Sequence, residues 1–186
     1  DGSGVNDIGV IDRAGQDGAE GLAYDESRDV LYGAINGNFY TINQATAVAS
    51  ANLATPTAGA DVEGIAWDGA DTIYGLVGFA GPNRGDLLAY NILANTWSFL
   101  FDTGIDFNLP GLAYDISAGV LYAIGSQDPN LYRIDPGLGT TTLVGDTGLS
   151  PTGGGLAFVI PEPSTLTLAA FGFIAAEAEL ARLGIA

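Results

Sequence analysis

Carboxylates are the only abundant side chains in this sequence that could do chemistry. The chain has 22 Asp and Glu against five basic residues, no His, Cys or Met, and a formal net charge of −17 over 186 residues. All five bases are arginines, namely Arg13, Arg28, Arg84, Arg133 and Arg182. A Ser-His-Asp triad, a cysteine nucleophile, a Schiff-base lysine and a P-loop lysine therefore cannot be built within it. Zinc sites of the His or Cys kind and axially ligated haem are excluded on the same ground.

Two chemistries remain for the acids. Glycoside hydrolysis needs two carboxyl groups, one as acid and one as base or nucleophile. Asp17 with Glu20 and Asp61 with Glu63 supply such pairs, whereas the third equivalent stretch has only Asp106. Calcium takes oxygen ligands from Asp, Glu and backbone carbonyls. Its candidates are Asp25, Glu26 and Asp29, then Asp61 with Glu63, and Asp68 with Asp71. None of these has EF-hand spacing. The plainer alternative is a solvated turn residue for the paired acids, because Asp favours turns, and a solvated surface for the calcium candidates. No catalytic residue and no organic cofactor is assigned, and calcium is the one cofactor the acids suit. The strong negative charge repels phosphate backbones, so nucleic acid is not an expected partner.

These acids sit in a repeat. Gly-Leu-Ala-Tyr-Asp at 21–25 recurs as Gly-Ile-Ala-Trp-Asp at 64–68, returns at 111–115, and reappears as Gly-Leu-Ala-Phe-Val at 155–159, with spacings of 43, 47 and 44 residues. Such a period indicates a propeller or another repeat architecture. Nine residues before each Gly an apolar run ends, at Asp12, Thr55, Asp102 and Asp146. Two further short runs follow each of the first three motifs, at 30–34 and 39–42, 72–76 and 87–90, and 120–124 and 131–134. They are rich in β-branched and aromatic residues and bounded by Gly, Asp, Asn or Pro, which predicts strands and turns. Four strands per unit match a propeller blade. Counted from Ile8, the pattern predicts three full units and the first two strands of a fourth, stopped by Pro161-Glu162-Pro163 because proline cannot donate to a ladder. The recurring aromatics Tyr24, Trp67, Tyr114 and Phe158, with Tyr32, Tyr74 and Tyr122, are expected to pack between units; the alternative for some of them is to stack on a ligand.

The C-terminal segment is of another kind. Val159-Ile160-Pro161-Glu162-Pro163-Ser164-Thr165 precedes an apolar run from Leu166 to Ala176. This resembles the PEP-CTERM sorting signal of Gram-negative bacteria. The resemblance implies export across the inner membrane, processing by an exosortase, and a setting of exopolysaccharide. The basic tail of that signal is replaced by Glu177, Glu179 and a single Arg182. About a dozen apolar residues before Glu177 fall short of the roughly 20 a spanning helix needs, so no stable membrane span is expected in the mature form. A helix over 165–183 is expected after an N-cap at Ser164 or Thr165. The opening at Asp1 rather than Met is what an exported chain shorn of its leader would show.

The expectation is an all-β, propeller-like repeat domain over 1–160 followed by an apolar helical tail over 161–186. Functionally this predicts a non-catalytic cell-surface or extracellular subunit that forms a homo-oligomer or filament. The expected joints are the incomplete last repeat and the tail, through Phe158, Val159, Ile160, Leu166, Leu168, Phe171, Phe173 and Ile174, by strand addition or helix-in-groove packing. The runner-up is a monomeric binding module for polysaccharide or calcium, and a carboxylate glycosidase comes third.

Overall fold

Residues 19–51, 53–56, 59–78, 83–148 and 155–157 are described by the computed structural model. Twelve strands form three four-stranded sheets. The first holds β1 (Gly21–Asp25), β2 (Val30–Ile35), β3 (Asn38–Ile42) and β4 (Ala49–Ala51). The second holds β5 (Val62–Trp67), β6 (Thr72–Val77), β7 (Asp86–Asn91) and β8 (Thr96–Asp102). The third holds β9 (Gly111–Asp115), β10 (Val120–Gly125), β11 (Asp128–Asp135) and β12 (Thr140–Asp146). Each sheet is an antiparallel meander in chain order. No helix occurs among the described residues.

The strands expected within 21–51, 62–102 and 111–146 are present, with the 51–55 run reduced to the end of a strand at Ala49–Ala51, but the units are phased differently. The apolar run before each Gly motif closes the preceding sheet instead of opening its own. Thus β4 pairs with β3, and β8 with β7. The 142–146 run, expected to begin a fourth unit, lies in β12 and pairs with β11. A hairpin connection of a few residues joins these runs to the strand before them, whereas a longer loop separates them from the motif after them. The complete units therefore run 21–51, 62–102 and 111–146, and of the fourth copy only 155–157 is described, outside any strand. The run ending at Asp12, Phe158 and the whole tail, including Val159, Ile160, Leu166, Leu168, Phe171, Phe173 and Ile174, lie outside the described residues.

Local chemistry explains the meander. Asn36 and Gly37 both have positive φ, 46° and 67°, and join Ile35 to its register partner Asn38. That is the two-residue Asn-Gly hairpin, whose twist matches that of the flanking strands. Both β8 and β12 carry one extra residue, Leu100 and Val144, opposite a shift in the partner's register. These are bulges at the same repeat position, eleven residues before the next Gly.

Packing alternates from sheet to sheet. Ala23, Tyr32, Ala34 and Phe39 of the first sheet meet Ile65, Ile73, Val77, Leu88 and Tyr90 of the second in one buried cluster. The other face of the second sheet, through Ala66, Leu76 and Leu87, meets Leu112, Leu121, Ala123, Tyr132 and Ile134 of the third. An aromatic knot strengthens the first contact, with Phe39 edge-on to Tyr90 at 4.8 Å and to Trp97 at 5.0 Å. The repeated glycine has its reason here. A Cβ on Gly21 would stand 2.2 Å from the Glu63 carbonyl oxygen, and one on Gly64 would stand 2.7 Å from that of Pro110. Only glycine lets each first strand come this close to the next sheet.

Candidate functional site

The strands β1, β5 and β9 run side by side in the same direction, so their starts share one end of the molecule and the turns after them share the other. At one end lie the turns after these strands, and there the last residue of each motif caps its own turn. Asp25 is fully buried and accepts hydrogen bonds from Ser27 Oγ at 2.6 Å, from the Arg28 backbone N–H at 3.1 Å and from Arg28 Nη1 at 2.7 Å. Asp68 accepts from the N–H groups of Ala70 and Thr72 at 2.8 and 3.0 Å. Asp115 accepts from Ser117 N–H, Ser117 Oγ and Ala118 N–H at 2.9, 2.6 and 3.1 Å. Burial alone pushes the Asp25 carboxyl up, but the bonds from Ser27 and Arg28 outweigh it and hold it below the usual range. The Ser117 hydroxyl does the same for Asp115. Asp29 is lowered by hydrogen bonds from the Tyr24 hydroxyl at 2.7 Å and from Gln44.

Neighbouring turns are also tied to one another. Arg28 reaches from the first turn to the Asp71 carboxylate and, at 2.9 Å, to the Ala70 carbonyl of the second. That carbonyl also accepts the Trp67 indole N–H at 3.0 Å. Ile116 of the third turn lies against Gly69 of the second.

At the opposite end the acids are crowded together. Glu20, exposed just ahead of β1, accepts the Asn36 N–H at 3.0 Å. Its carboxyl is raised to about 6, first by partial burial, then by the charge of Asp61, with a smaller push from Glu63 and a counter-pull from the Asn36 N–H. Glu63 is 2% exposed and lies against Gly78 and Pro110. Asp61 Oδ1 is shielded from solvent and makes no hydrogen bond among the described residues. The nearby cation at this end is Arg84, paired to Asp106 at 2.6 Å.

The seven acids expected as metal ligands are thus divided between the ends. Asp25, Glu26, Asp29, Asp68 and Asp71 belong to the turn end, Asp61 and Glu63 to the other. Asp25 is consumed by its turn, and no group of three or more acidic side chains among the described residues is arranged to hold a metal ion. Asp17, the expected partner of Glu20, lies outside the described residues. A cavity of about 290 Å3 opens beside Glu20 among the starts of β1, β5 and β9 and Gly155-Leu156. Its other walls among the described residues are Gly, Ala, Leu, Ile and Pro.

A second cavity, of about 540 Å3, lies at the turn end of the same three strands. Tyr24, Trp67 and Tyr114, the three equivalent aromatics, all line it, with Leu22, Ile116 and Glu26. The expectation that the recurring aromatics pack between units holds for Tyr32, 4% exposed, and for Tyr74 and Tyr114, stacked at 5.3 Å. It does not hold for Tyr24, which is 45% exposed because no earlier sheet precedes its own among the described residues. The shared phase of the aromatics in the repeat was the signal for this cavity. No sequence pattern pointed to the role of Arg28 between sheets, since its partners Ala70 and Asp71 are more than 40 residues away.

Fold and sites together define a repeated all-β protein built of four-stranded antiparallel meanders. No protein-family model and no curated protein matches the chain in sequence. Among solved structures, one chain in the crystal structure of a nidogen/laminin complex is similar, at 19% identity and a TM-score of 0.50 over 70% of this chain. The match takes in 49% of that chain, so the present one spans about half its length, and the likeness is one of fold alone. Among the described residues no helix is long and apolar enough to cross a membrane.

Proposed function

We propose that this chain is a non-catalytic, exported structural subunit whose three sheets are successive blades of a propeller-like ring, and which joins other copies edge to edge. The ring arrangement is supported by the common axis of β1, β5 and β9, with Gly155-Leu156 at the fourth position around the shared cavity. Export to the cell surface or beyond is supported by the resemblance of the Pro161-Glu162-Pro163 segment to an exosortase-processed signal.

The observation that carries the assembly reading is the state of the outer strands. The strands β8 and β12 each have seven residues and end their sheets. They expose Phe99, Leu143 and Val144 by 56–58%, and each holds a single charged residue, Asp102 or Asp146, at its far end. Proteins that stay apart blunt such edges with lysine, proline or inward charges. Among the described residues only the bulges at Leu100 and Val144 interrupt them, and no described strand pairs with the outer edge of the residues before each bulge, where another strand could add. Light scattering and negative-stain microscopy of the purified chain test this. Oligomers or filaments are expected, and the double variant Phe99→Lys, Leu143→Lys should stay monomeric. A wild-type chain that remains single particles at high concentration sinks the assembly reading and leaves a monomeric binding module in its place.

A further inference from the structure

The cavity at the turn end is not explained by assembly through the outer strands, and its chemistry is specific. Its walls are apolar and aromatic, from Leu22, Tyr24, Trp67, Tyr114 and Ile116, and among the described residues Glu26 is the one charged residue that lines it. Leu22, Tyr24 and Ile116 are exposed by 49%, 45% and 46%, so the cavity is open to solvent and not a sealed defect of packing. Its volume of about 540 Å3 is that of a small-molecule site.

Two features fix what it would hold. The aromatic side chains are tethered. The Tyr24 hydroxyl donates to Asp29 at 2.7 Å, the Trp67 N–H donates to the Ala70 carbonyl at 3.0 Å, and Tyr114 stacks on Tyr74 at 5.3 Å. These polar tips are already committed, so what remains for a ligand is π surface and hydrocarbon, already ordered before binding. The rim is strongly negative. Asp25, Glu26, Asp29, Asp68, Asp71 and Asp115 stand on or beside the turns around the mouth, and the bases at that end among the described residues, Arg28 and Arg133, are each paired to an aspartate. The hydrogen bonds that lower Asp25, Asp29 and Asp115 keep those three ionised at neutral pH. Glu26 is exposed and makes no hydrogen bond or ion pair among the described residues. Aromatic walls under an acidic rim attract a cation with an apolar body, and repel anions.

We propose that this cavity binds a small organic ammonium cation, with the alkylated or ring-bearing body against Tyr24, Trp67 and Tyr114 and the charge facing Glu26. The site is independent of the outer strands and is present in each copy whether or not the copies assemble.

Titration calorimetry with choline and with 3,3-dimethylbutan-1-ol, its neutral carbon counterpart, tests the proposal, with light scattering on the same samples. Choline should bind saturably and at least about fivefold more tightly than the neutral alcohol, the margin expected for a cation over aromatic rings. Added salt should weaken it, since the rim charges are exposed. Glu26→Gln should remove most of the margin, Tyr24→Ala should weaken both compounds, and Glu20→Gln at the opposite end should change neither. Equal affinity for the two compounds, absence of saturable choline binding, or an equal loss in Glu20→Gln would each overturn the proposal. Oligomers without choline binding would overturn it while leaving the assembly reading intact. Melting curves of the variants, whose side chains are exposed, separate loss of the site from loss of the fold.

Discussion

Glu20 and Asp25 stand at opposite ends of β1, five residues apart, and the fold treats them in opposite ways. Asp25 has no solvent contact, yet it is held ionised by Ser27 and Arg28. Glu20 is exposed, yet it is pushed to about 6 by partial burial and by Asp61. Exposure alone would predict the reverse order. Donors decide the matter, because a buried carboxylate with enough hydrogen bonds is better stabilised than an exposed one facing like charge. The turn end has spent its acids on structure, and what it leaves over is an acidic rim. The other end holds its acids under mutual repulsion.

Several substitutions would break or sharpen that contrast. The largest effect should come from the strand that joins the ends. Gly21→Ala forces a Cβ against the Glu63 carbonyl, and backbone cannot swing aside as a side chain can, so a loss of about 3 kcal/mol is expected in chemical denaturation. Asp25→Ala follows, at about 2–3 kcal/mol. It removes the acceptor of three hydrogen bonds and one of the two carboxylates that neutralise Arg28. Asp115→Ala should cost less, about 1–2 kcal/mol, because no arginine is stranded by it. If Asp25 and Asp115 proved equal, the link from Arg28 to the second sheet would carry no weight.

The smallest effect tests the crowded end and has a definite sign. The Glu20 value in the folded chain, about 6, lies above the ordinary 4.5. Its contribution to stability is therefore full below about 4.5 and is lost as the pH rises through about 6. Thermal melts should show the protein less stable at neutral pH than in mild acid, by under about 1 kcal/mol because the group is exposed and screened. Glu20→Gln should flatten that slope. Asp25, Asp29 and Asp115, lowered from 3.8, act oppositely, their contribution being lost only as the pH falls below that value. A melting profile without a decline between mild acid and neutrality would mean that the charges at the Glu20 end do not interact.

Much of this was legible from residue types. The strands, and the Gly, Asp, Asn and Pro turns that bound them, follow from local propensity. Local rules act over a few residues and so survive the absence of tertiary information. The grouping of strands into sheets was not legible. The run ending at Asp102 looks the same whether it opens the unit of Gly111 or closes that of Gly64. Only the pairing of β8 with β7 settles it. Nor was the division of the acids visible, since Asp25 and Glu26 resemble Asp61 and Glu63 as letters.

The sequence by itself determined the repeat, its all-β character and the kinds of chemistry closed to it, because composition and periodicity are properties of the chain alone. Tertiary structure decided which glycines must be glycines, which acids are capped and which are crowded, and that three aromatics more than 40 residues apart line one cavity. Those outcomes depend on how sheets approach one another. A distance between sheets is set by the packing of many side chains at once, and no short window of sequence contains it.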